Sequence, residues 1–240
     1  MLLSLLNGGD LTDIVVSLLL SVPIIIIALV FHETAHGYVA WKCGDNTAYN
    51  LGRLTLDPRK HLDPMGLISM LIFGYGWAKP VPVNTRNFRN PKRGMALTAA
   101  AGPAANLILG VISALFGGFF MALYNYLYFK TGGFIMTCVY WLTYMCELSA
   151  VYNFLFMVFN LIPIPPFDGS RIAFVFLPQK YYFGIMRYER QIMLGLLIAL
   201  LVLDRFYFSP FSLIANKLTY LIVDPVFDFF WDVFRNALLK

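Results

Sequence analysis

The chain has 240 residues, 59% of them hydrophobic and only 13% charged, with a mean hydropathy of +0.69. A soluble domain carries about 25% charged residues, so this composition excludes a water-soluble globule and predicts an all-α polytopic membrane protein in contact with a lipid bilayer. The net charge of +5 would suit a nucleic-acid partner in a soluble protein; in a membrane chain it marks cytoplasmic loops, and no nucleic-acid partner is expected.

The first apolar run, Leu11 to Val30, has no basic segment before it and no small-residue cleavage site after it, so it reads as a span rather than a cleaved leader. The span extends to about Trp41, interrupted only by Pro23. Near its end stands Phe31-His32-Glu33-Thr34-Ala35-His36-Gly37, which holds two of the three histidines and one of the three glutamates in the protein. On a helix, positions i and i+4 share a face one turn apart, so both imidazoles can reach one metal ion. His-Glu-x-x-His is the arrangement of zinc hydrolases, with the glutamate as general base. Ionisable groups cost roughly 2.5 kcal/mol or more each within a span, which argues against an accidental cluster. Trp41 suits a membrane interface, and the histidines lie roughly 8–14 Å inside it along the helix axis.

Residues 42–94 form the longest polar segment and hold half of the 18 basic residues. Leu51 to Asp57 alternates like a short strand, and Gly66 to Phe73 is apolar but short for a span. Lys79-Pro80-Val81-Pro82-Val83-Asn84 must be extended, because proline excludes helix at itself and biases its predecessor toward β. The expectation for about 51–84 is a small membrane-associated sheet or re-entrant hairpin. The second span begins near Gly94. Its run Thr98-Ala99-Ala100-Ala101-Gly102-Pro103-Ala104-Ala105-Asn106 permits close approach of another helix, Pro103 should break or bend it, and Asn106 places an amide within it.

The third span, about Phe134 to Asn160, follows a short connection whose one basic residue is Lys130. It ends in Asn160-Leu161-Ile162-Pro163-Ile164-Pro165-Pro166-Phe167-Asp168-Gly169, where the prolines forbid helix. Irregular backbone at membrane depth is tolerated when buried in protein or lining a wet cavity, and these residues could carry Asp168 to the depth of His32 and His36. Arg171, Lys180, Arg187 and Arg190 follow. A fourth span is expected near Phe183 to Leu203. A fifth apolar stretch, about 211–231, carries Lys217, Asp224, Pro225 and Asp228 and could lie in the interface rather than cross. About four to six transmembrane helices are expected in all. Cys43, Cys138 and Cys146 are scattered and suggest neither a disulfide framework nor a metal quartet. Loops 42–94 and 161–190 are basic and loop 124–133 is not, so successive spans alternate consistently with the basic loops in the cytoplasm. That places the end of the first span and the Asp168 loop on one side.

A catalytic zinc site has three protein ligands and an open position. The third histidine of metzincins is missing, because Val39 and Lys42 occupy the required positions. Glu147, Glu189, His61 and Asp168 remain as candidates. Glu147 is at mid-span, Glu189 sits in an arginine-rich run that suits a surface ion pair, and His61 lies in a basic loop. Asp168 has the right depth and a backbone shaped to present it, and is the preferred third ligand.

The chain resembles the site-2 protease family of intramembrane zinc metalloproteases. The resemblance rests on His32-Glu33-Thr34-Ala35-His36, Gly102-Pro103-Ala104-Ala105-Asn106 and Asn160 to Gly169. Gly52 to Pro58 and His61 to Gly66 look like the compact bacterial branch, which has no PDZ or CBS domain. The resemblance covers about residues 14–190. It implies Zn2+ held by His32, His36 and Asp168, Glu33 as catalytic base, and Asn106 and Asn160 as positioners of the substrate backbone. Phe167 stands where the family usually has leucine. The expected organisation is one protease domain over 1–240, with a core at about 14–190 and C-terminal helices at about 183–240. The resemblance implies a multi-pass protein of a bacterial cell membrane that cuts the helix of a membrane-protein substrate, and the basic loops put its active site toward the cytoplasm. The residues alone also admit a non-proteolytic scaffold with a residual zinc site, or a metal transporter whose ligands line several spans.

Overall fold

The structure is a computed structural model. It describes residues 11–73, 76–128, 133–173, 175–176, 184–185, 187–205 and 210–238. Lys130, Lys180 and the start of the expected fourth span at Phe183 lie outside the described residues.

The helices are α1 (Leu11–Lys42), α2 (Thr47–Asn50), α3 (Pro64–Phe73), α4 (Pro91–Leu127), α5 (Phe134–Asn160), α6 (Asp168–Ala173), α7 (Glu189–Arg205), α8 (Pro210–Leu218) and α9 (Asp224–Leu238). Among the described residues no strand forms, as expected of an all-α membrane protein. Among the described residues three helices are long and apolar enough to cross a bilayer: Val15–Lys42, Pro91–Leu127 and Phe134–Asn160. A crossing needs about 20 apolar residues at 1.5 Å each, and all three exceed that. Where the fourth span was expected, the described residues form α7, which at 17 residues is not among these three. The stretch 211–231 is divided among α8, a π-helical turn at Thr219–Val223 and α9. Pro103 was expected to break or bend the second span, yet α4 continues through it, as α1 does through Pro23. In a span the apolar surroundings penalise every lost backbone hydrogen bond, so the helix accommodates the one amide that proline removes.

The chain divides into two compact units, Met1–Asn106 with Phe156–Pro210, and Leu107–Leu155 with Phe211–Lys240. In the second unit the close neighbours of Gly117 include Phe227, those of Gly118 include Phe230 and Trp231, and Ser113 and Ser149 hydrogen-bond at 2.9 Å.

The first unit contains the polar segment after α1. The expected hairpin is present without the expected sheet: α3 lies between Leu62 and Ala78, which form a single antiparallel bridge. Pro58, Pro64, Pro80 and Pro82 explain the missing ladder, since proline has no amide to give a neighbouring strand. One main-chain bond, Lys79 N to His61 O at 2.8 Å, joins the two arms, and side chains supply the other ties: Arg53 Nη2 donates to Lys79 O at 2.8 Å. Thr34 Oγ1 on α1 donates to Thr55 O at 2.9 Å, and His61 Nε2 reaches the same carbonyl at 2.8 Å.

Asp45, fully buried just beyond α1, closes the far end of this segment. Its carboxylate accepts from Asn84 N at 2.7 Å, Asn87 Nδ2 at 2.8 Å, and the backbone and hydroxyl of Thr47. Burial pushes the Asp45 carboxyl up, but the hydrogen bonds from Thr47, Asn84 and Asn87 outweigh it and hold the group below the usual aspartate range. A depressed carboxylate contributes stability above its unfolded pKa, near 3.9, and loses it as pH falls through the lower folded value. Asp45→Ala should lower stability by about 1–3 kcal/mol by orphaning several donors. Thermal unfolding in detergent checks this: the gap between wild type and variant should be full at neutral pH and shrink in acid below about pH 4.

Candidate metal centre

Helix geometry places His32 and His36 one above the other on α1, and both are buried, at 5% and 8% exposure. Their Nε2 atoms are 3.0 Å apart. Asp168, the first residue of α6, brings Oδ2 to 3.1 Å from each. The proline-rich turn before it makes this possible. Leu161 and Ile162 carbonyls pass so close to Gly169 that any Cβ there would overlap them, which explains why glycine follows Asp168.

The second nitrogen of each ring is also engaged. His36 Nδ1 is 2.6 Å from Thr98 O, a group that can only accept, so Nδ1 carries the proton. His32 Nδ1 is 2.5 Å from Asn106 Oδ1. Asn106 Nδ2 faces Ala28 O at 3.4 Å, which turns its oxygen toward the imidazole. Both rings are thereby set with Nδ1–H outward and an Nε2 lone pair inward. Two imidazole lone pairs and a carboxylate oxygen within 3.1 Å repel one another unless a cation lies among them. Two nitrogens and one oxygen are also donors that zinc accepts in catalytic sites. The residues fit a zinc ion.

Helix α4 seals one side of the trio. A Cβ on Gly102 would overlap His36 Nε2 and His32 Cε1 and Nε2, so α4 approaches the imidazoles as closely as backbone can. The small residues around Gly102 predicted a close approach to a helix, although nothing in the sequence said that the neighbours would be these rings. Glu33 is half-buried next to His32, and its Oε2 accepts from Val81 N at 3.0 Å.

The structure therefore brings His32, His36, Asp168 and Asn106 together. Asn106 is fully buried against His32 and the Ala28 carbonyl. Asn160 donates to Phe156 O of its own helix at 3.0 Å. Of the other candidate ligands, His61 is fully buried on Thr55 O and is not part of the trio. Glu189 pairs with Arg171 at 3.2 Å, the ion pair that its surroundings suggested. Glu147 belongs to the second unit. Thr98 was missed because it acts through its backbone, which any residue possesses. Val81 was missed for the same reason.

Two substitutions test the construction. Gly102→Ala should drive a methyl into the imidazoles and reduce zinc affinity at least tenfold, and Asn106→Leu should reduce it about 10–100-fold by freeing His32 Nδ1. Competition with a zinc chelator measures both.

The sequence profile of Peptidase family M50 matches residues 21–203. The chain is 43% identical over 155 residues to "Putative zinc metalloprotease YwhC" of Bacillus subtilis, covering 62% of this chain and 64% of that one. It is 31% identical over 150 residues to "Putative zinc metalloprotease Rip2" of Mycobacterium tuberculosis, covering 60% of this chain and 52% of that one, and similarly to the protein of that name in Mycolicibacterium smegmatis. The match thus spans less than two thirds of these relatives. No solved structure matches. With the profile covering most of its length and a zinc-type donor set at its centre, the chain belongs to peptidase family M50.

Proposed function

We propose that the protein is an intramembrane zinc metalloprotease that hydrolyses peptide bonds within or near the transmembrane segments of other membrane proteins. The observation that carries this reading is the convergence of Asp168 on His32 and His36, the two buried histidines of a span-length helix, beside the glutamate of the His-Glu-x-x-His motif. His32 Nε2, His36 Nε2 and Asp168 Oδ2 would hold the metal. Zinc bound there supplies a Lewis acid that polarises a carbonyl and lowers the pKa of a water toward about 7.

The chain's own groups do the rest. Glu33 takes the proton of the attacking water and delivers it to the leaving amine nitrogen. Asn106 and Thr98 O fix the imidazole tautomers, so the reaction begins with the ligands already oriented. Asn106 thus works on His32. A substrate helix must unwind before it is cut, because its amides are otherwise internally bonded. An extended substrate segment can then pair through its main chain with an edge offered by the strand-like pieces of 51–83, at residues other than the prolines and Val81.

The basic residues of 42–94 support an orientation with the centre toward the cytoplasm of a bacterial cell. The histidines lie roughly 8–14 Å along the helix from Trp41, which suits cleavage near one end of a substrate helix.

Glu33→Gln should lower cleavage by about 10²–10⁴-fold while zinc per chain is unchanged. Comparative membrane proteomics of wild-type and variant cells, with zinc analysis of both purified proteins, is the measurement. Undiminished processing in the variant would rule out Glu33 as the base. Zinc uptake into vesicles that is indifferent to Glu33→Gln would favour a transporter instead.

A further inference from the structure

The segment Lys79–Asn84 is an extended strap held at both ends. At one end Lys79 donates its amide to His61 O and accepts from Arg53 Nη2 through its carbonyl. At the other, Asn84 N is held by Asp45 Oδ2 at 2.7 Å. Both anchors are buried: Arg53 is 7% exposed and Asp45 fully enclosed. Between them Pro80 and Pro82 have no N–H, so Val81 carries the single amide donor of the Pro-Val-Pro run. That donor is given to Glu33 Oε2 at 3.0 Å. The Val81 side chain is buried too, and its Cγ1 and the Leu54 side chain are close neighbours of Gly37 on the following turn of α1.

Resting on the reading of Glu33 as general base, we propose that this strap is a positioning device for the base, with the Val81 amide fixing one carboxylate oxygen so that the other is presented to the water. A carboxylate on a flexible side chain samples several rotamers, and only some place an oxygen within reach of the proton it must take. One hydrogen bond to an amide in a strap anchored at both ends restricts that freedom before substrate arrives. The prolines serve the same end. They pre-set an extended backbone, and on either side of Val81 they remove the neighbouring amide that could compete for Glu33. Arg53 acts at one remove, because its hydrogen bond holds the carbonyl two residues before Val81. Val81 acts on the base and not on the reacting atoms in this scheme, so it is a positioning residue.

The test separates the amide from the side chain. Replacing Val81 by its α-hydroxy acid through nonsense suppression turns the amide N–H into an ester oxygen and keeps the isopropyl group. Val81→Ala does the opposite. Fluorescent casein in detergent is the probe, an unfolded chain that needs no helix unwinding. The ester variant should lose about tenfold or more in kcat with KM and zinc content unchanged, whereas Val81→Ala should retain most of its kcat. An ester variant within twofold of wild type, or faster, would overturn the proposal. So would Val81→Ala losing as much as the ester, since a packing role predicts that result. A second readout does not depend on turnover. In [15N]valine-labelled protein the Val81 amide proton should resonate downfield and move upfield in Glu33→Ala; an unmoved resonance would also overturn the proposal. Wild-type protein that leaves casein intact, or Glu33→Gln protein that cuts it, counts against the protease reading. A dead Glu33→Gln enzyme alongside an active ester variant counts against the strap alone.

Discussion

Three electron-pair donors with no proton of their own to share stand within 3.1 Å of one another in the apolar part of this protein. His32 and His36 are held in that state from behind, by Asn106 Oδ1 and Thr98 O, and Asp168 is carried to them by a proline-rich turn. Such a cluster is unfavourable in a low-dielectric environment unless a cation joins it. Much of the first unit follows from this requirement. Gly102 removes the Cβ that would occupy the space of the rings, Gly169 lets the Asp168 turn close over two carbonyls, and Ala28 gives Asn106 the second hydrogen bond that orients it.

Around this centre the polar segment after α1 supplies order without a sheet. Its backbone is rich in proline, so it cannot build a ladder, and it is tied by Arg53, Thr34, His61 and Asp45 instead. Each tie connects a side chain to a main-chain group, which fixes backbone atoms to within a hydrogen bond's tolerance at isolated points. Glu33 receives its neighbour from such a point.

The membrane class and the convergence of Asp168 on His32 and His36 were legible in the sequence for different reasons. Apolar runs longer than a bilayer crossing and scarce charges have few other physical explanations. His32, Glu33 and His36 are spaced by the helix itself. Asp168 was found by depth and by the prolines before it, an argument about where backbone can go. The hairpin of 51–84 was half legible: its turn-back was readable, but strand-like alternation at Leu51–Asp57 suggested pairing that the prolines deny. Pro103 misled in the other direction, because the rule that proline ends helices comes from water, where a freed carbonyl finds another partner. Thr98 and Val81 could not be read at all. Their contributions are a carbonyl and an amide, and the sequence names side chains only. Asn106 was visible as a polar group in a span, yet its partner across 74 residues of sequence had no local signature.

X-ray absorption at the zinc edge of the purified, zinc-loaded protein tests the central claim most directly. Two imidazole nitrogens and one carboxylate oxygen predict a first shell of nitrogen and oxygen at about 2.0–2.2 Å, with imidazole outer-shell scattering from two rings that falls on His36→Ala. A sulfur shell near 2.3 Å from the cysteines, or a spectrum unchanged by removal of His36 or Asp168, would contradict the account.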